Sequence, residues 1–130
     1  MGEQGDWAWR ALRGATTAEA NTVAAMREAV LELLETLERE NHLDPRHLVS
    51  VIFSVTPDLD ATYPATIARE RPRWDEVAML DVQHMVVAHG LPRCIRLLAH
   101  VRLPVNQKPV HPYLRGAKVL RPDWSYQKAP

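Results

Sequence analysis

The chain is short of several things at once: of its 130 residues one is cysteine, one is phenylalanine, five are glycine and three are lysine. The lone Cys94 excludes an intrachain disulfide and suits a reducing compartment. Its neighbours Ile95, Leu97 and Leu98 point to a buried thiol rather than a nucleophile. His84 and His89 are the wrong distance apart for a ligand pair, and no Cys/His set has metal spacing, so no metal site is expected. No glycine-rich phosphate loop or Gly-x-Ser-x-Gly turn occurs. No apolar run approaches the length of a membrane span, and residues 1–8 lack the apolar stretch of a secretory leader. Sixteen basic and sixteen acidic side chains cancel, so no broad field invites nucleic acid or a membrane surface. These absences predict a soluble, cytoplasmic protein.

What the chain has instead is arginine, thirteen against three lysines. Arginine is favoured where a carboxylate or phosphate must be held in a fixed plane, so a small anionic ligand is the expectation. The length suits a single domain over 1–130 with a real core, and residues 1–6 and 124–130 read as flexible tails.

Hydrophobic spacing predicts a strand over 7–13, then a helix capped by Asn21 whose core face carries Val23, Met26, Val30, Leu33, Leu34 and Leu37. Asp44-Pro45 starts a short turn. Residues 48–55 are nearly all apolar and β-branched, as in a strand covered on both faces. A short helix over 64–71, strands over 77–87 and 91–102, a Pro-rich loop over 104–112 and a last strand near 117–120 follow. The order predicts an α+β domain, one mixed β-sheet backed by one main helix. One helix leaves a sheet face uncovered, and a symmetric oligomer is the simplest cover.

Three charged positions stand out. Arg13-Gly14-Ala15-Thr16-Thr17 combines a planar cation, a glycine that lets backbone approach closely, and hydroxyls that turn toward the helix. Arg96 in Cys94-Ile95-Arg96-Leu97-Leu98 and Asp81 in Leu80-Asp81-Val82 are charges inside apolar strands, each needing a partner. They either pair with each other across neighbouring strands or line a cleft for an anionic ligand.

These blocks, together with Thr56-Pro57-Asp58-Leu59-Asp60-Ala61, Tyr63-Pro64-Ala65 and Leu120-Arg121-Pro122-Asp123, occur in the order and spacing of the AroH-class chorismate mutases, which the chain resembles over about residues 9–125. The resemblance implies a homotrimer forming a pseudo-α/β barrel, sites between subunits, and rearrangement of chorismate to prephenate without metal or organic cofactor. It also implies roles by position. Arg13 and Tyr113 would grip a carboxylate, and Arg96 the ether oxygen and a carboxylate. Tyr63 and Ala65 would form a wall from the adjacent subunit, Arg69 would assist binding, and Leu120 and Arg121 would lie over the mouth. One stretch departs from the family pattern: Asp81-Val82-Gln83-His84 stands where cysteine, any residue, glutamine and glutamate are expected. Asp81 is therefore expected to take over the glutamate's contact with the substrate hydroxyl as a third catalytic residue beside Arg96 and Arg13, with His84, at a substrate-binding position, neutral or pointing elsewhere. The same departure leaves room for a non-catalytic trimer that only binds chorismate or a related carboxylate.

Overall fold

In the computed structural model, which describes residues 5–124, β1 (Trp7–Thr17) leads into α1 (Val23–Glu40), then β2 (Leu48–Val55), α2 (Pro64–Ala68), β3 (Ala78–Gln83) and β4 (Cys94–Pro104). Three 3₁₀ segments, Pro45–His47, Trp74–Glu76 and Arg115–Leu120, fill the connections. The strands form one mixed sheet in the order β1-β4-β2-β3. β4 runs antiparallel to both neighbours, while β2 and β3 are parallel and joined through α2. The α+β architecture expected from the sequence is present. No helix among the described residues is long and apolar enough to cross a membrane.

Directly paired residues point to the same side of a sheet, so the register sorts side chains between its faces. The row Gly14–Leu97–Phe53–Asp81 faces α1. A Cβ at Gly14 would lie 3.3 Å from Leu33 Cδ1, which fixes that side. The adjacent row, Ala15–Arg96–Ser54–Val82, faces away from the helix. The core lies between α1 and the first side: Leu12, Val51, Phe53 and Ala99 pack under Met26, Val30, Leu33, Leu34 and Leu37. Val23, in the first turn, is 54% exposed and outside this core. Thr22 rather than Asn21 caps the helix, its Oγ1 accepting from Ala25 N at 3.1 Å. Asn21 instead clips a distant loop, donating to Asp60 Oδ1 and accepting from the backbone N–H groups of Asp60 and Ala61.

The far end of α1 anchors the next layer. Asn41, fully buried, donates to Leu37 O and Val110 O and accepts from Val110 N. That satisfied amide fastens the Pro-rich loop to the helix. The connection after α2 is fastened by Glu38 of α1, whose Oε2 accepts from Arg71 Nε and from Trp74 Nε1, both at 2.8 Å.

Four sequence expectations change. β1 continues through Thr17, so Arg13-Gly14-Ala15-Thr16-Thr17 is strand, not turn. β3 stops at Gln83, because the apolar residues after it have no further strand to pair with, and β4 begins only at Cys94. Residues 115–120 form a 3₁₀ helix instead of a strand. Within one chain β2 is covered on its α1 side alone; Ile52 and Ser54 on the other side are half-exposed.

Gly14 has an ordinary strand φ, so its role is space. The backbone that approaches it belongs to the chain itself: a Cβ there would sit 3.0 Å from Pro112 O. Gly14→Ala is therefore expected to destabilise the fold by about 1–3 kcal/mol through forced displacement of Pro112 and Leu33. Urea unfolding checks this; an unchanged midpoint would count against the packing argument.

Candidate functional site

The face of the sheet away from α1 carries two guanidinium groups. Arg13 on β1 and Arg96 on β4 line a cleft of about 380 Å³ with Ile52, Ser54, Leu98 and Tyr113. Neither arginine has a carboxylate partner among the described residues. Arg96 Nε is buried with no hydrogen-bond partner among the described residues. An orphaned cationic donor in an apolar strand is costly, and an anion entering the cleft would supply what it lacks. Arg96 also lies near the Cys94 thiol. Burial pushes that thiol up, beyond what Arg96 takes back, consistent with the structural role expected for it.

The chain after the Pro-rich loop docks on the open edge of β1. Ala15 N donates to Pro112 O at 3.0 Å and Leu114 N donates to Ala15 O at 2.8 Å. This brings Tyr113, 2% exposed, against Ala15 and Ala117 beside the arginine cleft. Leu120 packs on the same small cluster. Arg121 is held by Asp123 through two bonds of 2.7 and 3.0 Å. Trp124, expected to begin a flexible tail, is packed: it stacks on His111 and lies under Arg121. At the other expected tail, Asp6 O accepts from Val105 N at 2.9 Å, while residues 1–4 and 125–130 lie outside the described residues.

Asp81 overturns the pairing that its sequence context suggested. β3 is separated from β4 by β2, and Asp81 faces the α1 side while Arg96 faces away. Asp81 pairs with neither Arg96 nor Arg13; its Oδ1 accepts from Ala65 N at 3.0 Å. The reason is local. Tyr63 occupies the cap position of α2 without a side-chain cap bond, and Pro64 has no N–H, so Ala65 presents the first free donor and Asp81 supplies the missing acceptor. Burial raises the Asp81 carboxyl above its ordinary value, against the Ala65 N–H and the nearby charge of Arg69. Arg69 Nη2 in turn donates to Thr66 Oγ1 at 3.2 Å. Asp81, Tyr63, Pro64 and Gln83 line a second cavity of about 390 Å³ at the β3 edge, with Tyr63 69% exposed.

His84 returns to the arginine side. Its Nδ1 lies 3.0 Å from Ser54 Oγ, and its backbone N donates to Val55 O. Burial and then the Arg96 charge lower its pKa, outweighing Ser54 and Asp58. A lowered pKa favours the neutral imidazole near pH 7. His84, Arg96, Cys94 and Asp58 share a third cavity of about 330 Å³.

Within one chain the expected residues therefore form two groups. Arg13, Arg96, His84, Tyr113, Leu120 and Arg121 gather about the open face, whereas Tyr63, Ala65, Arg69 and Asp81 gather about the β3 edge. Sequence reading missed Ser54, His111 and Trp124. Ser54 sits in a strand pattern that reads as plain core, and the other two reach the site only through the loop fastened by Asn41. The described residues contain no group of His, Cys, Asp or Glu placed to hold a metal ion.

The sequence matches the family described as chorismate mutase type I over residues 9–124. It is 41% identical over 120 residues to chorismate mutase AroH of Bacillus subtilis (strain 168), covering 92% of this chain and 94% of that one. It is 40% identical over 116 residues to chorismate mutase AroH of Thermus thermophilus, covering 88% and 94%. Among solved structures, a chorismate mutase from Clostridium thermocellum superposes with a TM-score of 0.78 at 36% identity, over 85% of this chain and 98% of that one. The chain belongs to the type I chorismate mutases.

Proposed function

We propose that the protein converts chorismate to prephenate in the cytoplasm, as one domain acting in a homotrimer whose sites lie between subunits. The observation that carries the reading is the pair of guanidinium groups on one sheet face, neither ion-paired to a carboxylate among the described residues, with Arg96 Nε buried and without a hydrogen-bond partner there. The substrate is a dicarboxylate, and its rearrangement breaks an ether C–O bond while a C–C bond forms within the same molecule. No nucleophile, general acid or general base is needed. Two contributions remain: holding the enolpyruvyl side chain over the ring, and stabilising negative charge that develops on the ether oxygen. Arg13 and Tyr113 suit a substrate carboxylate. Arg96, which keeps its proton, suits the ether oxygen and a carboxylate together. Leu120 and Arg121 suit the mouth.

The trimer is inferred from the separation of the two groups. Tyr63, Ala65, Arg69 and Asp81 cannot meet Arg13 and Arg96 through the sheet, but the β3 edge of a second copy can be laid against the first copy's arginine face. Exposed Met85, Val86 and Val87, the first 84% accessible, give that edge an apolar margin suited to burial. In such an assembly the Asp81 carboxylate would approach the substrate hydroxyl while its Oδ1 retains the α2 clamp. A binding-only trimer is the second reading, favoured by a neutral imidazole at position 84 where the family has a carboxylate.

Loss of chorismate absorbance with purified protein, competed by a transition-state analogue, separates the two; a protein that binds the analogue without turnover is the binder. Arg96→Ala is expected to lower kcat by at least about 10²–10³-fold, the scale for losing a preorganised donor, while the mass in solution stays that of three chains. Wild-type turnover in that variant would remove Arg96 from the mechanism. Asp81→Asn keeps an oxygen for Ala65 N–H but loses the charge. It is expected to cost about tenfold in kcat/KM with little change in melting temperature, on the scale of one charge-assisted hydrogen bond. Undiminished kcat/KM would leave Asp81 with α2 alone.

For His84 the prediction concerns protons. Its folded pKa is lowered, so as pH falls below about 6.5 the unfolded chain takes up the proton first. The stability that the neutral ring contributes is complete above that value and is lost as pH drops toward the folded pKa. An NMR titration of the ring is expected to show a midpoint below about 6.5; a midpoint above it contradicts the burial and Arg96 argument.

A further inference from the structure

His111 and Trp124 belong to no part of the mechanism above, yet they stand between two of its arginines. The N–H of Arg13 points off the open edge of β1, where its neighbours are satisfied by backbone: Ala15 N by Pro112 O, and Leu114 N by Ala15 O. At Arg13 the acceptor is a side chain, His111 Nδ1, at 3.0 Å. An imidazole accepts there only with Nδ1 unprotonated. Burial and then the charges of Arg121 and Arg13 lower the His111 pKa, which favours the neutral ring, and the Arg13 N–H selects the tautomer with its proton on Nε2.

The same ring stacks on Trp124 with centroids 3.9 Å apart and planes 30° apart. The Arg121 guanidinium carbon lies 3.4 Å from the Trp124 centroid. Two groups this close to one centroid cannot share a face, so the indole is sandwiched between imidazole and guanidinium. Arg13 approaches the indole as well, its guanidinium carbon at 5.8 Å, and Tyr113 flanks it at 6.2 Å. Stacking fixes the plane of the Arg121 guanidinium from its face, while Asp123 holds its Nε/Nη2 edge through two bonds, so together they set where this cation stands at the mouth.

We propose that His111 and Trp124 form a positioning bridge that couples Arg13 to Arg121 and so sets the affinity of the cleft for its dicarboxylate. The bridge rests on the chorismate reading for its ligand, but not for its geometry. Neither residue touches the reacting atoms; the hydrogen bond orients the backbone that carries Arg13, and the stack orients Arg121. A positioning role of this kind changes binding and leaves the chemical step to Arg96.

The test uses the full chain with chorismate as the probe. Trp124→Ala is expected to raise KM about tenfold, on the scale of one desolvated cation–π contact, with kcat within about twofold of wild type. Trp124→Phe, which keeps an aromatic face, is expected to recover most of the loss. His111→Phe keeps the stack but removes the acceptor. It is expected to raise KM and to speed hydrogen exchange at the Arg13 amide by about tenfold or more, the scale of a lost hydrogen bond. An unchanged KM in Trp124→Ala, a fall in kcat without a change in KM, or a phenylalanine no better than alanine at position 124 would overturn the bridge. So would an Arg13 amide that exchanges no faster in His111→Phe. A wild-type protein inert toward chorismate would overturn the functional reading instead, and the Arg13 exchange comparison would still decide the bridge.

Discussion

Everything at the site depends on the antiparallel pairing of β1 with β4, which runs unbroken from Trp7↔Pro104 to Thr17↔Cys94. The pleat of that ladder sends Arg13 and Arg96 to one side, and Leu12, Gly14, Leu97 and Ala99 to the other. A slip of one residue would push Arg13 into the layer under α1 and expose Leu12, so the hydrophobic core and the guanidinium pair are fixed by the same register. β4 also carries β2 on its other edge, and β2 brings Ser54 and Ile52 to the arginine side. The cleft is therefore a by-product of core packing on the opposite face: its floor is as firm as the sheet.

Its walls have a different origin. They come from the segment around residues 110–114, which has no strand of its own and is held at both ends. Asn41 at the end of α1 grips both backbone groups of Val110, and the open edge of β1 takes Pro112 and Leu114. A buried amide with its bonds satisfied is stable and specific, whereas one left half-satisfied is costly, so Asn41 fixes where the loop must return. Gly14 then permits that return, since any side chain there would meet Pro112. The helix, the loop and the glycine form a chain of contacts ending at Tyr113 and His111, two residues beside the cleft.

This division explains what could be read from the sequence. Met26 to Leu37 at helical spacing, and the apolar run 48–55, are local patterns, and both elements form where they are expected. The guanidinium pair was legible too, because a charge in an apolar strand requires a partner. What could not be read was facing. Asp81 and Arg96 look alike in sequence, each a charge among apolar residues, but strand order and register put them on opposite sides of the sheet, and neither is a local property. Asn21 misleads for a related reason: it is a good cap by type, yet Thr22 has the position, and Asn21 is free to clip a loop thirty-nine residues away. His111 and Trp124 carry no periodic signal and acquire meaning only from the fastened loop.

The opposed facing of Asp81 and Arg96 has a chemical consequence. A carboxylate on the arginine face would neutralise Arg96 within the chain, and any incoming anion would have to displace it at the expense of that ion pair. The sheet prevents this for Asp81, which it directs to the α2 N-terminus, and neither Arg13 nor Arg96 is ion-paired among the described residues. His84, which shares a cavity with Arg96 on that face, adds no negative charge, and burial and Arg96 itself lower its pKa, favouring the neutral imidazole. Asp58 acts on the same region but is committed to the start of β4, accepting from Arg93 N and Thr56 Oγ1. On the proposed function, the cost of the orphaned Arg96 Nε is carried by the folded core and would be recovered on binding of an anion. On the same proposal, a cation left without an ion pair among the described residues by topology, rather than by the absence of carboxylates from the chain, would be preorganised for a dicarboxylate before one binds.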